Sequence, residues 1–252
     1  MAKPRPLSIK HQHPCDQCPL KKHDILRDLS ASETEFMTRF KTGEFQAQAG
    51  STIIVEGTNS PHLYTVLSGW GFRYKTLPDG RRQILNFILP GDLVGLQGSL
   101  MKEMSHSVEA LSDMMFCVFE RESLTKLFKE TPSLAYDVTW LAAREEQMLD
   151  EHLLSVGRRT AIERAAYLIS FLSQRARRVG QLEDGQILVP FTQSHVADTL
   201  GLSLVHTNKT LKKLQARGLI KWSERSCIVK DEEKLQHVAG WDGLPDTPRP
   251  FI

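Results

Sequence analysis

Residues 192–220 are TQSHVADTLGLSLVHTNKTLKKLQARGLI, and this stretch predicts two short amphipathic helices joined by a tight turn. Thr192 and Ser203 are placed to cap the two helices. Gly201 lets the helices approach closely and adopts the left-handed backbone that the turn needs. The inner stripes consist of Val196, Ala197 and Leu200 in the first helix and Thr207, Thr210, Leu211 and Leu214 in the second.

The outer side of the second helix is polar and basic and carries no acid, which suits a helix beside base edges in the DNA major groove. Its residues are Leu204, Val205, His206, Asn208, Lys209 and Lys212. Gly218 ends this helix, and residues 219–222 can then pair with 227–229 as a short hairpin. The pattern predicts a winged helix-turn-helix, with an ordinary packed helical hairpin as the alternative.

Individual contacts follow from the chemistry of these side chains. Lys209 can donate to a guanine, and Leu204 or Val205 can touch a thymine methyl group. Ser203 and His206 are placed for a phosphate or a base edge. At the start of the first helix we expect phosphate contacts from Thr192, Gln193 and Ser194.

Composition sets wide limits. The chain has 252 residues, enough for two domains, and 40% hydrophobic with 25% charged residues is typical of a globular protein. No apolar run approaches the roughly 20 residues that cross a bilayer, and no signal peptide is evident, so we expect a cytoplasmic protein without membrane association. Four cysteines in such a chain argue against a disulfide framework.

The net charge of +2 says little, but its distribution favours DNA binding at one end of the molecule. Basic residues concentrate before the helix-turn-helix and within it. They are Arg158, Arg159, Arg164, Arg175, Arg177 and Arg178, followed by Lys209, Lys212, Lys213, Arg217 and Lys221.

The remainder of the chain divides by pattern into an α+β organisation. Residues 1–28 resemble an arm with a C-x-x-C pair, and Ser30 with Glu33 resembles a capping box that opens a short helix. Residues 29–130 are predicted as an antiparallel β-roll, because short apolar strands alternate with glycine turns such as Pro90-Gly91-Asp92. No nucleophile–base motif appears, so the sequence does not indicate an enzyme.

A long helix is predicted over 131–157, with Gly157 ending it as a hinge. One stripe of this helix is broad enough to face both the roll and a partner helix. Its residues are Leu134, Val138, Leu141 and Met148. The winged helix-turn-helix domain then occupies 158–236, and 237–252 is expected to be a loosely ordered tail because it contains three prolines and few core residues.

This order of elements, the segment Pro90-Gly91-Asp92-Leu93-Val94-Gly95 and the match over 192–220 resemble the Crp–Fnr family of bacterial transcription regulators. The resemblance implies a cyclic-nucleotide-binding-like jelly roll, a long dimerisation helix and a DNA-binding winged helix-turn-helix. It also implies a homodimer through that helix, bound to a two-fold symmetric double-stranded operator, with RNA polymerase as a partner.

Two departures from the family pattern bear on the signal and on the operator. Members that bind cyclic AMP carry Gly-Glu and then Arg-Ser about ten residues later, whereas Leu96 follows Gly95 here and the later pair is Met104-Ser105. A buried phosphate needs a cation or a set of donors, so cyclic AMP is not expected to bind in the familiar manner. The positions that often carry Glu and Arg on the recognition helix are Val205 and Lys209, so a different operator is expected.

The oxygen-sensing branch of the family ligates a [4Fe–4S] cluster with four cysteines, and Cys15, Cys18 and Cys117 fall at three of those positions. Asp24 stands at the fourth, where a carboxylate can ligate iron. Two other interpretations stay open: a thiol switch, or no metal, with Cys117 packed as a small hydrophobe.

The sequence therefore predicts a homodimeric, sequence-specific DNA-binding transcription regulator whose roll senses a signal other than cyclic AMP, with oxygen or redox sensing through the cluster as one option. The alternatives are an effector-independent regulator and a sensor module that acts through protein partners.

Overall fold

The computed structural model describes residues 13–23, 25–181, 188–223 and 226–252, without the side chains of residues 188 and 189. The α+β fold class is confirmed: antiparallel strands precede a long helix and a helix-turn-helix domain. The chain forms two compact units. Unit 1 consists of the described residues within Met1–Gly71, Ile88–Ala142 and Pro248–Ile252, and unit 2 of those within Phe72–Phe87 and Ala143–Thr247.

The roll consists of short antiparallel strands, as the glycine-punctuated pattern predicts. They are β1 (Lys41–Ala47), β2 (Thr52–Ile54), β3 (His62–Ser68), β4 (Gly71–Thr76), β5 (Arg82–Ile88), β6 (Leu93–Val94), β7 (Ser107–Ala110) and β8 (Met114–Glu120). One sheet has the order β1-β8-β3-β6, β2 pairs with β7, and β4 lies beside β5. In the first sheet Cys117 on β8 lies between Glu44 of β1 and Thr65 of β3.

The helices of unit 1 close one side of that sheet. They are α1 (Ala31–Phe40), α2 (Leu96–Met101), α3 (Leu124–Glu130) and the first part of α4 (Pro132–Arg158). The predicted capping box at the start of α1 is confirmed, with Ser30 accepting from the Glu33 amide and Glu33 accepting from the Ser30 amide. The largest effect on the Glu33 carboxylate is the hydrogen bond from Arg27, which lowers its pKa to about 2.

Helix α4 differs from the prediction in two respects. It continues to Arg158, so Gly157 lies within its last turn and does not end it. The break follows at Thr160, which caps the next helix. Leu134, Val138 and Met148 are buried within the single chain, because Leu134 and Val138 join the core of unit 1 and Met148 packs in unit 2. Their assignment to the dimer interface is therefore wrong, and Leu141 is also partly buried against the core of unit 1.

The exposed stripe of α4 lies beside the predicted one. Its residues recur at alternating spacings of four and three, the period of a helix–helix seam. They are Thr139, Ala142, Glu146, Leu149 and Leu153, followed by the half-buried Val156.

Unit 2 contains the predicted winged helix-turn-helix. Its helices are α5 (Ala161–Arg178), α6 (Gln193–Leu200), α7 (Leu204–Ala216) and α8 (Glu232–Ala239). A three-stranded sheet, in the order β10 (Ile220–Ser223), β11 (Ser226–Val229) and β9 (Leu188–Val189), forms the wing. The predicted pairing of 219–222 with 227–229 is confirmed in register, since Trp222 lies opposite Cys227.

The expectation of a loosely ordered tail after residue 236 is wrong. Helix α8 continues to Ala239, and Arg249 forms a parallel bridge with Leu26. Phe251 and Ile252 are about 95% buried in the core of unit 1. Phe251 and Ile252, at the far end of this stretch, meet a groove that local sequence patterns do not reveal.

Candidate DNA-binding surface and cysteine pocket

The helix-turn-helix begins at an unusual capping box. Thr192 Oγ1 accepts from the His195 amide at 3.3 Å, and the Thr192 amide donates to His195 Nδ1 at 3.2 Å. The usual partner at this position is Glu or Gln, so a neutral imidazole replaces a carboxylate here. Burial and the neighbouring Arg82 cation lower the pKa of His195, which keeps Nδ1 available as an acceptor at neutral pH.

Helix α7 follows a left-handed Gly201 and is capped by Ser203, whose Oγ accepts from the His206 amide at 3.3 Å. The predicted inner stripes of both helices are buried, and the outer face of α7 is exposed. Val205 is 66% exposed and Leu204 is 52% exposed, in a helix whose other large apolar side chains, Leu211 and Leu214, are buried. Lys209 and Lys212 are exposed on the same face, and Asn208 is half-buried. The face therefore offers apolar contacts, donors and positive charge together.

Contacts at two places on α6, which the sequence did not predict, position this surface. Asn208 Nδ2 donates to Gln193 Oε1 at 3.0 Å, which links α7 to the first residue of α6. On the other side of α6, Arg82 of β5 binds Asp198 at 2.8 Å and Gln83 donates to the Thr199 carbonyl at 2.9 Å. The first contact joins positions 15 apart and the second 116 apart, so local patterns carry no signal for them.

The basic residues before the helix-turn-helix have a different role from the predicted one. Most of them make hydrogen bonds or ion pairs within unit 2, as Arg175 does with the Phe87 carbonyl at 2.7 Å. These residues are Arg159, Arg164, Arg175, Arg177 and Arg178. Arg158 and Arg177 are nevertheless exposed. The other exposed members of the predicted basic set lie on α7, after it and on the wing, namely Lys209, Lys212, Lys213, Arg217 and Lys221.

Cys15, Cys18 and Cys117, the three cysteines predicted as cluster ligands, line one pocket of unit 1. Cys15 is the first residue of a 3-10 turn in the arm, and Cys18 directly follows that turn. Cys117 is buried on β8. Burial raises the pKa of Cys18 and raises that of Cys117 to about 12, so both are thiols at neutral pH. Asp24, the predicted fourth ligand, lies outside the described residues.

The arm that carries these cysteines is held by Glu44 of β1. Glu44 accepts from the His13 amide at 2.9 Å and from Lys41 Nζ at 2.6 Å. Burial alone would raise the pKa of Glu44, but the hydrogen bonds from Lys41 and His13 outweigh it and leave the pKa below its usual range. A charged network thus fixes the arm beside Cys117.

The pocket does not fit an iron–sulfur cluster in this arrangement. Its free volume is about 20 Å³, room for one water molecule, because Phe251 and Ile252 form part of its wall. Within the described parts of the chain, no group of three or more His, Cys, Asp or Glu side chains is arranged to hold a metal ion. Cys227 lies apart in the wing, where burial raises its pKa to about 12, as for a structural residue.

The fold and this surface define a winged helix-turn-helix DNA-binding protein with a β-roll. The model of the cyclic nucleotide-binding domain matches residues 44–131, and that of the Crp-like helix-turn-helix domain matches 163–238. The nitrogen fixation regulation protein FixK of Bradyrhizobium diazoefficiens is 31% identical over 229 residues, which are 90% of this chain and 94% of that protein. The chain therefore belongs to the Crp–Fnr family of transcription regulators.

Two further relatives agree with this assignment. The transcriptional activator protein FnrL of Cereibacter sphaeroides is 28% identical over 240 residues, covering 92% of this chain and 96% of that protein. The solved structure of FixK2 from Bradyrhizobium japonicum superposes with a TM-score of 0.68 at 30% identity and covers 79% of this chain and 96% of that one. The chain is a DNA-binding regulator and not an enzyme. No helix in its described part is long and apolar enough to span a membrane.

Proposed function

We propose that this regulator acts in the cytoplasm as a homodimer that binds a two-fold symmetric operator and contacts RNA polymerase. The observation that carries sequence-specific binding is the exposed face of α7, where Lys209 and Asn208 stand beside the apolar Leu204 and Val205. Ser203, His206 and Lys212 flank this set, and Thr192, Gln193 and Ser194 supply phosphate contacts at the start of α6. The similarity to FnrL, a transcriptional activator protein, favours activation of transcription.

The test is selection of bound duplexes from a random library, followed by footprinting. We expect a palindromic site whose half-sites are about one helical turn apart. At moderate salt, unlabelled operator should displace the protein from labelled operator, whereas random duplex should not. Equal competition by both would favour the sensor module that acts through protein partners.

The dimer is proposed to form through the exposed stripe of α4 and not through Leu134, Val138 and Met148. Leu149 and Leu153 are 38% and 72% exposed on one face, four residues apart. Two copies of this stripe can pack as a parallel seam, which buries apolar area that a single chain leaves in water.

The signal is proposed to differ from cyclic AMP. Met104 is buried where the family pattern has a phosphate-binding arginine, and its Sδ lies 3.2 Å from the Gly98 amide. A thioether at this place offers no charge to a cyclic phosphate. Ser105, the next residue, donates to Gln97 at 2.6 Å. An effector-independent regulator remains the alternative, distinguished by operator affinity that does not change with any added small molecule or with air.

The second candidate property is oxygen or redox sensing, favoured by the convergence of Cys15, Cys18 and Cys117 on one pocket. When bound, a [4Fe–4S] cluster would supply an oxygen-labile centre held by these cysteines, and it would need a larger pocket than the present one of about 20 Å³. Anaerobic purification with iron and sulfide analysis tests it. About four irons per chain, with a colour that bleaches in air together with operator affinity, would support the cluster. A dithiol switch predicts instead a colourless protein whose affinity follows the thiol redox state.

A further inference from the structure

The segment Pro248–Ile252, here called the 248–252 segment, lies in a groove of unit 1 and is held by three kinds of contact. Along its backbone, the Arg249 amide donates to the Ile25 carbonyl at 2.7 Å, and the Arg27 amide donates to the Arg249 carbonyl at 2.9 Å. These two bonds form the parallel bridge with Leu26. The segment is thus added to the edge of the arm in the way that an extended peptide is added to a strand.

The Arg249 side chain makes the second contact. Its guanidinium donates to the Pro90 carbonyl at 2.9 Å and to the Gly91 carbonyl at 3.1 Å, and it lies 3.4 Å from the Asp92 carboxylate. Gly91 has φ +84°, and a Cβ there would stand 2.9 Å from Arg249 Nη2. The turn at 90–92, which carries the family resemblance of the roll, is therefore also a binding site for a buried arginine.

The third contact closes the cysteine pocket. Phe251 and Ile252 line it together with Cys15, Cys18 and Cys117, and Thr65 Oγ1 donates to the Ile252 carbonyl. Both side chains are about 95% buried, and Cys117 is 8% exposed. The space that they leave is about 20 Å³, large enough for about one water molecule, whereas a cluster of four irons and four sulfides has eight heavy atoms.

We propose that the 248–252 segment is an intramolecular ligand of unit 1 that closes the cysteine pocket, so that Cys117 becomes accessible to metals and oxidants only when the segment leaves. A peptide ligand for this groove needs an arginine for the 90–92 turn and, two residues later, an aromatic side chain for the pocket. This inference goes beyond the proposed function and stands without iron, because every contact that carries it is made by the chain itself.

The first test measures the rate at which a thiol reagent modifies each cysteine, in iron-free protein with a chelator present and without DNA. We expect Phe251→Ala to accelerate modification of Cys117 at least tenfold. The modification rates of Cys15 and Cys18 should change less, because these two side chains are already partly exposed in the wild type. Cys227, fully buried in unit 2, is the internal reference for unfolding elsewhere in the chain.

The matched control is Phe36→Ala. Phe36 belongs to the same core as Phe251 and is 7% exposed, but it does not line the pocket. Both variants remove one buried phenyl ring from unit 1. A loss of stability alone would therefore accelerate the modification of Cys117 in both variants. Equal rates in the two variants, or no acceleration in Phe251→Ala, would overturn the proposal.

A second measurement does not depend on how stable these variants are. In protein from which residues 248–252 are deleted, a synthetic peptide covering 244–252 should slow the modification of Cys117 with a saturable dependence on its concentration. The same peptide with alanine at the position of Phe251 should not. Absence of protection by the first peptide would also overturn the proposal. Because neither measurement uses DNA or a metal, its failure is distinct from a failure of the operator or the cluster experiments.

Discussion

Asn208 on the recognition helix donates from Nδ2 to Oε1 of Gln193, 3.0 Å away at the start of the preceding helix. Gln193 is expected to contact phosphate, and the neighbours of Asn208 are expected to contact bases. The hydrogen bond therefore joins the part of the surface that positions the protein on DNA to the part that distinguishes sequence.

A double-mutant cycle on this pair tests that relationship. Gln193→Ala and Asn208→Ala should each weaken operator binding, and the double variant should lose less than the sum of the two. A coupling energy of about 0.5–1.5 kcal/mol is expected for one hydrogen bond. The measurement is operator affinity by fluorescence anisotropy at fixed salt. Strictly additive losses would show that the two side chains act on DNA independently.

Lys209→Ala should weaken specific binding by about 1–3 kcal/mol while changing non-specific binding much less, since a base contact discriminates between sequences and a phosphate contact does not. Lys126→Ala is the matched control, because Lys126 is an exposed lysine on α3 that lies in unit 1. Affinities for the selected operator and for a random duplex give the answer. If both fall equally in Lys209→Ala, then Lys209 is only a phosphate contact.

Leu153→Glu should convert the protein to a monomer at micromolar concentration, because it places a charge in the proposed seam of α4. Leu154→Glu serves as the control: Leu154 is 50% exposed on the same helix but faces about 100° away from Leu153. Light scattering after size exclusion gives both masses. A dimer that survives Leu153→Glu would place the interface elsewhere on the chain.

His152 should make the stability of unit 2 depend on pH. Burial, followed by the Arg175 and Arg73 cations, lowers its pKa to about 4 from an ordinary 6.5. The folded protein therefore holds the neutral ring, whose Nδ1 lies 2.9 Å from the Tyr167 hydroxyl. The stabilisation that the neutral His152 ring gives to the folded protein is complete above pH 6.5. It is lost as the pH falls towards 4, because His152 takes up its proton at a higher pH in the unfolded chain than in the folded one.

His152→Gln removes this titration and keeps a polar group near Tyr167. Between pH 7 and pH 4 the free energy of unfolding of the wild type should fall by about 3 kcal/mol more than that of the variant. Urea unfolding at a series of pH values provides the comparison. Parallel pH profiles for the two proteins would contradict a depressed pKa at His152.

Local sequence rules located the helix-turn-helix and most of its surface. The caps at Thr192, Ser203 and Ser30, the left-handed Gly201 and the wing hairpin are as predicted, because each depends on residues a few positions apart. The prediction that the long helix ends at Gly157 was wrong, because glycine only weakly disfavours a helix. The capping box of Thr160 and Glu163, a few residues later, marks where the next helix begins.

The predictions that failed concern residues whose surroundings are formed by distant parts of the chain. The stripe of Leu134, Val138 and Met148 has the right period, but periodicity cannot say whether a core or a partner covers it. In the same way, a run of arginines does not reveal whether the side chains meet DNA or the protein itself, and Arg175 of α5 donates to the Phe87 carbonyl. The segment after residue 247 has no periodicity at all, and its burial follows from a groove formed by residues more than a hundred positions earlier.

Arg27 connects two separate parts of unit 1. Its amide donates to the Arg249 carbonyl at 2.9 Å, and its Nε donates to the Asp137 carboxylate of α4 at 2.9 Å. One residue thus touches both the 248–252 segment and the helix that carries the proposed dimer seam. If the segment leaves as proposed, Arg27 loses one of these two hydrogen bonds, so the residue that meets the segment is the same one that holds Asp137 of the long helix.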